Sequence, residues 1–219
     1  MALLGLFAFP GQGFAGSKSR IQYLSELPGG RHYGLPLVIT LNDIAAASAT
    51  AFDSGQAIST TTLVGGTTTL TLAAGDYTDI IQPRNVVAIV DFAVGAATTS
   101  ATGTLVITGI NSIGTTTTET LTVSTNSATG NVAWRSITSC AWTITSVSGR
   151  VDSDDALLKL GSGTKIGLPV DIIDTDDVKK CIEAGSLTTT ATLNAAYNTI
   201  TFVNAPDGSK DYQLWIDNR

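Results

Sequence analysis

Short segments in which apolar and polar residues alternate recur along most of the chain, and they constrain its fold more than any other feature. LVITL (37–41), GTLVITGI (103–110) and TETLTV (118–123) are examples. Alternation with period two places the apolar side chains on one face of a β-strand. Gly, Asn, Asp and Pro separate the segments at the short, even spacing typical of β-sandwiches and barrels. The sequence therefore predicts an all-β fold, a β-sandwich or a barrel-like domain, over residues 37–219.

Thr supplies most of the polar positions in these segments. Only 14% of residues are charged and 43% are hydrophobic, so the exposed strand faces are expected to carry neutral hydroxyl groups. Thr is β-branched and suits a pleated surface. The segments predicted as strands are LVITLND, STTTLVG, TTTLTLAAG, NVVAIVDFAVG, GTLVITGIN, TETLTVSTN, NVAWRSITSCAWTITSVS, ALLKLGSG, LTTTATLN, NTITFVNA and DYQLWIDN, with AAASATAFDSGQA as an intervening small-residue stretch.

Two connections have the composition of hairpin turns, GINSIGT (109–115) and NAPDGSKD (204–211). At most one short helix is expected, in DDVKKCIEA (176–184), where Asp174 or Thr175 can cap the first turn and Gly185 can end the last. The residues VKKCIE also fit a strand, and the pattern alone does not choose between the two.

Residues 1–36 differ from the rest of the chain and are interpreted as an extended N-terminal arm. Glycine and proline crowd this segment, its charge is basic, and its aromatic residues have no period that would make a core face. Such a segment cannot bury itself and is expected to lie on a partner. The residues expected to contact that partner are Phe7, Phe9, Phe14, Arg20, Tyr23, Arg31 and Tyr33.

The arm contains G-x-G-x-x-G at Gly11, Gly13 and Gly16, the outline of a dinucleotide-binding turn. A true fingerprint needs a buried strand before it, a full helix after it and an acidic residue about 20 positions on. Pro10 interrupts the first element and Pro28 ends the second. We therefore predict no nucleotide and no other cofactor, and we assign the glycines to close backbone contact with another surface.

The search for catalytic residues finds few candidates. His32, the single histidine, lies in the arm, and no nucleophile motif accompanies it. Glu119 alternates with Leu121 and Val123, which favours a hydrogen-bonded structural carboxyl over one half of a glycosidase pair. Cys140 and Cys181 are predicted to be buried free thiols. The sequence predicts no enzyme and no zinc site.

Two acidic clusters suggest calcium only weakly. Asp152, Asp154 and Asp155 fail the EF-hand spacing because Ala156 and Leu157 stand where ligand and glycine belong. Asp171, Asp174, Asp176 and Asp177 are expected to form a turn and a cap. We predict no metal site, while a calcium ion in such a loop stays an open alternative.

Charge and hydropathy exclude two classes of partner. The net charge is −6, with no basic stripe of the kind that displaces counterions from nucleic acid. No apolar run approaches the ~20 residues that a membrane-spanning helix needs. The chain is therefore expected to bind neither nucleic acid nor membrane.

The run from QPRNV (82–86) through GTLVITGINSIGTTTTETLTV (103–123) to GNVAWRSITSCAWT (130–143) resembles a pattern found in virion proteins of tailed phages. LGSGTKIGLPVDI and NTITFVNAPDGSKDYQLWI continue it, so the resemblance covers about residues 82–216. The family it resembles is the capsid decoration, or cement, proteins and related head proteins. Residues 1–36 have no counterpart in the pattern.

The resemblance implies a structural protein on the capsid exterior of a bacteriophage, where it stabilises the head. It also implies the major capsid protein as partner, self-association as a homotrimer, and no small-molecule substrate. Two alternatives stay open: a tail, neck or fibre component, and a carbohydrate- or receptor-binding β-sandwich. Exposed, coplanar rings among Trp134, Trp142 and Trp215 would favour sugar binding, although packing in the core or at its rim is the commoner use of Trp.

Overall fold

The computed structural model describes residues 20–22, 37–58, 68–72, 82–92, 100–148, 156–188 and 191–216. These residues form strands and two short 3-10 turns, Thr175–Asp177 and Ala195–Tyr197, with no helix of seven or more residues among them. The all-β prediction is confirmed. The strands are β1 Arg20–Gln22, β2 Leu37–Leu41, β3 Ser48–Ile58, β4 Thr68–Leu72, β5 Arg84–Phe92, β6 Ser100–Asn111, β7 Thr116–Val123, β8 Ser127–Ser148, β9 Ala156–Gly167, β10 Val178–Glu183, β11 Ser186–Thr188, β12 Thr192–Asn194, β13 Thr199–Thr201 and β14 Tyr212–Ile216.

The larger sheet is antiparallel and has the order β12-β13-β9-β5-β8-β6-β7, with β3 added to β9 and β4 added to β8. Strand β8 explains its curvature. Residues 127–134 of β8 pair with β5, whereas residues 134–148 pair with β6. A strand that changes partner along its length bends the sheet around itself, and the sheets curl into a half-barrel.

The first hydrophobic core is built mainly from strands β5, β6, β7, β8 and β9 of this sheet. Strand β6 alternates buried and half-buried residues along nearly its whole length, as its sequence predicts. The two largest side chains of this core, Trp134 and Trp142, are fully buried. Both come from β8, so the strand that bends the sheet also supplies the largest side chains of its core.

The smaller sheet has the order β1-β2-β14-β10-β11 and is also antiparallel. Its buried face packs on Ile166 at the end of β9 and on Ile200 of β13 to form the second core. In this core the rings of Phe202 and Tyr212 stack with their centroids 4.0 Å apart. Because β9 contributes to both cores, it connects the two layers.

Several local predictions are confirmed. GINSIGT forms the β6–β7 hairpin turn, in which Gly114 has a φ of 87° and donates to the Asn111 carbonyl at 3.0 Å. Neither cysteine forms a disulfide and both are buried, Cys140 in the first core and Cys181 in the second.

Other local predictions are wrong. Part of the intervening stretch AAASATAFDSGQA is strand β3, which pairs with β9 through two register shifts. NAPDGSKD is not a hairpin, because β13 pairs in the larger sheet and β14 in the smaller one. A third segment, residues 178–183, was left open between helix and strand; it forms strand β10, since β14 and β11 supply hydrogen-bonding neighbours on both sides.

Candidate functional site

A groove of about 550 Å³ runs beside the outer strand of the larger sheet. We call it the β7–β8 groove. One wall is β7 and the other is the first part of β8, and the 3-10 turn at 195–197 closes one end. Its lining includes Thr118, Glu119, Thr120, Asn131, Asp171 and Tyr197.

The groove exists because β7 and β8 separate directly after a tight turn. Thr125 and Asn126 have φ values of 51° and 72°, and Ser124 pairs with Ser127 across them, the geometry of a two-residue hairpin turn. Asn126 fixes this turn to the sheet, because its Oδ1 accepts from the backbone N–H of Ala101 at 2.6 Å. Beyond the turn, β7 pairs with β6 while β8 pairs with β5, which leaves a gap between them.

Glu119 spans the gap. Its side chain is only 9% exposed, and Oε1 accepts from the backbone N–H of Asn131 at 2.6 Å. The N–H of Val132 lies 3.3 Å from each carboxyl oxygen. One carboxyl group therefore accepts from two backbone N–H groups that have no partner on a neighbouring strand. Gly130 makes room for it, since a Cβ there would lie 2.7 Å from Oε2.

The carboxyl of Glu119 has a raised pKa. Burial is the main cause, because it disfavours the charged form. The backbone N–H groups of Asn131 and Val132 and the positive charge of Lys165 oppose that effect. The group is thus held more easily in its protonated form than an exposed glutamate, while strong donors surround it.

Below the groove, two bulges face each other across β5. Asn85 pairs with Ala133 and Val87 with Thr129, so residues 130–132 of β8 bulge out of register. On the other side of β5, Arg84 pairs with Ile166 and Val86 with Ser162, so residues 163–165 of β9 do the same. Backbone groups in such bulges lose their ladder partners and need substitutes.

Asn85, which is fully buried, supplies substitutes to both bulges. Its Nδ2 donates to the Gly130 carbonyl at 2.9 Å, and its Oδ1 accepts from the Lys165 backbone N–H at 2.9 Å. A Cβ at Gly163 would lie 2.4 Å from that Oδ1, so glycine is required there. Asn85 therefore fixes how β8 and β9 are placed on either side of β5.

The side chain of Lys165 reaches back toward the groove. Its Nζ donates to the Gly130 carbonyl at 3.1 Å and to Oδ1 of Asn131. Lys165 lies on β9, Asn131 on β8 and Glu119 on β7, so three strands bring their side chains together. We refer to Arg84, Asn85, Glu119, Asn131 and Lys165 as the bulge cluster.

Arg84 is the buried cation of this cluster. Nη1 donates to the Gly163 carbonyl at 3.1 Å, and Nη2 donates to the carbonyl of Ala45. Burial lowers the pKa of its guanidinium, and the neighbouring Tyr212 has the opposite, smaller effect. Its contacts join β5 to β9 and to the segment before β3.

The residues predicted as partner contacts fall almost entirely outside the described part of the chain. Arg20 is in β1, which pairs with β2 at the edge of the smaller sheet, and its side chain is not among those described. The others lie outside the described residues, as do His32 and the glycines of the G-x-G-x-x-G motif. They are Phe7, Phe9, Phe14, Tyr23, Arg31 and Tyr33.

The tryptophans pack in the core or at its rim, which is the commoner use of this residue. Trp134 and Trp142 have no exposed surface, so neither can stack on a sugar. Trp215 is half-buried, and Lys180 Nζ lies 5.2 Å from the centroid of its ring. The prediction that Glu119 is a hydrogen-bonded structural residue is confirmed.

The second acidic cluster forms a turn, as predicted. Oδ2 of Asp177 accepts from the backbone N–H groups of Ile173 at 3.2 Å and Asp174 at 3.0 Å. Strand β10 rather than a helix follows it. Within the described residues, no three His, Cys, Asp or Glu side chains are grouped so as to hold a metal ion. Asp152, Asp154 and Asp155 lie outside those residues.

Sequence reasoning missed the polar residues of the bulge cluster apart from Glu119. A signal was present, because Gly130 and Gly163 stand inside strands and each is followed by polar residues, as GN and GTK. Glycine within a strand often marks a bulge or a close approach. The pattern does not say which distant side chain fills the space that the glycine leaves.

None of the helices among the described residues has the length and apolar character needed to cross a membrane. Comparison of the chain with known protein families, curated proteins and solved structures found no match.

Proposed function

We propose that this protein is a structural component of a tailed-phage virion, a decoration protein that binds and stabilises the outer surface of the capsid. The major capsid protein would be its partner. The observation that carries the proposal is the open edge of β7 beside the β7–β8 groove. It adds to the resemblance over residues 82–216.

The β7 edge is suited to pairing with another chain. Among the described strands, β7 pairs only with β6, so within the described part of the chain one side of its backbone has no strand neighbour. Such an edge can accept an extended segment through main-chain hydrogen bonds. Thr116, Thr118, Thr120 and Thr122 are exposed along it, so the contact would be uncharged and insensitive to ionic strength.

Charge complementarity supports a role for the arm. Residues 1–36 carry three Lys or Arg against one Glu, a net charge of +2. Since the whole chain has a net charge of −6, residues 37–219 have a net charge of −8. A basic arm is drawn to acidic surface on neighbouring subunits. The described part of the arm, Arg20–Gln22, is an extended strand on a sheet edge. Homotrimers at three-fold sites would multiply such contacts through effective concentration.

Copy number in purified particles tests the proposal. Quantitative mass spectrometry should find this protein at close to one copy per major shell protein. A handful of copies per particle would place it instead in the neck, tail or fibre. Absence from particles would overturn the virion proposal.

A pair of variants tests whether the β7 edge makes the contact. Thr120→Lys places a charge on the open edge, where it should reduce the occupancy of capsids at least several-fold. Ser139→Lys is the matched control, because Ser139 is equally exposed but lies on β8, which pairs with β6 at that position. Equal occupancy for both variants would show that the β7 edge is not the binding surface.

Sugar binding is a second candidate, favoured by one observation. Tyr197 is 40% exposed and lines the groove together with Asn111, Asn131 and Asp171. An exposed ring beside amide and carboxyl groups is a common way to hold a sugar. Glycan-array binding that Tyr197→Ala abolishes would support it, and an array without signal would exclude it for the glycans tested.

A further inference from the structure

The bulge cluster contains an amine, a carboxamide and a carboxyl group in one place. Nζ of Lys165 donates to Oδ1 of Asn131, which puts the nitrogen about 3–4 Å from the carboxamide carbon. The Glu119 carboxyl contacts the same asparagine, because Oε1 accepts from the backbone N–H of Asn131 at 2.6 Å. The positive charge of Lys165 also acts on the Glu119 carboxyl, so the amine, the carboxamide and the carboxyl group lie close to one another.

The surroundings favour acyl transfer between these groups. Glu119 is 9% exposed and Trp134, beside it, is fully buried, while Lys165 and the groove residue Asn131 are half-buried, so one side of the cluster is shielded from water. The raised pKa of Glu119 suits a group that must both accept and donate a proton. Two bulges and Asn85 hold the backbone of both reacting residues in place, which lowers the entropic cost of bringing them together.

We propose that Lys165 and Asn131 form an intramolecular isopeptide bond, with Glu119 as the proton-transfer group. The inference concerns this cluster alone and does not depend on the proposed virion role.

The step balances without a co-reactant. Glu119 takes a proton from the Lys165 ammonium, and the neutral Nζ attacks Cγ of Asn131 to form the new C–N bond. Protons then pass by way of the Glu119 carboxyl from Nζ to Nδ2. The Cγ–Nδ2 bond breaks, nitrogen leaves as ammonium, and Glu119 returns to its starting carboxylate. No atom is oxidised or reduced.

The product would join β8 to β9 covalently across β5. A cross-link between residues 131 and 165 closes a loop, and loop closure stabilises a fold mainly by restricting the unfolded chain. Unlike a disulfide, the amide resists reducing agents. It would lock the two bulges on either side of β5.

Mass spectrometry of the full chain tests the bond. Formation releases ammonia, so the denatured protein should be about 17 Da lighter than its sequence. A protease digest should contain one branched peptide joining the segments around Asn131 and Lys165. A digest in which both segments appear only as linear peptides of unaltered mass would overturn the proposal.

Three variants separate the bond from other losses of ammonia. Lys165→Arg keeps the charge but lacks the amine, and Asn131→Ala lacks the acyl group, so both should have their full sequence mass. A 17 Da loss that persisted in Lys165→Arg would indicate a cyclised asparagine instead and would count against the proposal. Glu119→Gln should reduce the yield of the branched peptide at least ten-fold while far-UV circular dichroism stays β-type. Undiminished yield in that variant would remove Glu119 from the reaction.

Discussion

At the scale of single residues, buried polar side chains in this protein repeatedly replace a strand neighbour. Glu183 accepts from the backbone N–H groups of Val203 at 3.1 Å and Asn204 at 2.8 Å, as Glu119 does for the bulge in β8. Asn198 accepts from Ile172 and donates to the Leu168 carbonyl, both at 2.8 Å. Leaving such a backbone group unpaired costs about 1–3 kcal/mol. These few residues therefore decide where the sheets can be irregular.

Tyr212 gives a prediction at this scale. Its phenol donates to the Asn204 carbonyl at 2.8 Å and has no exposed surface. Burial, with repulsion from Asp207 and Glu183, raises its pKa from 10 to about 12. The folded state therefore favours the neutral phenol. Its contribution to stability is complete below pH 10 and is lost as the pH rises toward 12.

Urea unfolding of the wild type and Tyr212→Phe between pH 8 and pH 12 measures that contribution, because this range begins below the ordinary pKa of tyrosine and ends near the raised pKa of Tyr212. The free energy of unfolding of the wild type should fall more steeply above pH 10 than that of the variant. Cys181, whose pKa burial also raises to about 12, is present in both proteins, and its charge is one of the smaller causes that raise the pKa of Tyr212. Parallel curves would mean that the phenol titrates normally in the folded protein.

At the scale of strands and turns, alternation predicted most elements, and the failures have physical causes. Strand β3 was missed because its residues do not alternate, and its pairing with β9 contains two register shifts. The composition of NAPDGSKD shows that the chain turns, but the partners of β13 and β14 come from distant segments. For 178–183, helix and strand were locally equal, and two neighbouring strands decided between them.

The candidate site was harder to predict than the strands. Alternation placed Glu119 on the inward or edge face of β7, and the residue is buried there. The groove and the bulge cluster depend on which strands separate and where they bulge, and these are properties of long-range pairing. Asn85 contacts residues 45 and 80 positions away in the sequence, a relation that no local pattern contains.

The glycines of β6 give a prediction at the scale of elements. Gly109 lies at a register shift against β8, and a Cβ there would be 2.1 Å from the Ser136 carbonyl oxygen. Backbone cannot move aside as a side chain can, so Gly109→Ala should lower the free energy of unfolding by about 1–3 kcal/mol. The exposed Thr120→Ala on neighbouring β7 is the control, expected to change it by less than about 0.5 kcal/mol. Equal urea midpoints for the two variants would show that the strands do not approach so closely.

At the scale of the whole molecule, strand β9 connects the two cores. Leu158 and Leu160 lie in the first core, and Ile166, six residues after Leu160, lies in the second. Strand β13 pairs with the same end of β9 and adds Ile200 to the second core. Neither core can lose its packing without disturbing a strand that the other needs. Residues 37–219 should therefore unfold as one cooperative domain.

The two free thiols can test this, because each is buried in a different core and each is the only cysteine there. Two single-cysteine variants are compared: Cys181→Ala reports on Cys140, and Cys140→Ala reports on Cys181. We expect both thiols to become reactive toward a thiol reagent at the same urea concentration, once each curve is corrected for the stability of its variant. Leu214→Ala, which opens a cavity in the second core, should lower both midpoints together and cost about 2–5 kcal/mol. If Cys181 reacted first and Leu214→Ala moved only its curve, the smaller sheet would be an independent unit. Coinciding curves would instead mean that β9 transmits the loss of either core to the other, which is the behaviour expected of a single rigid building block.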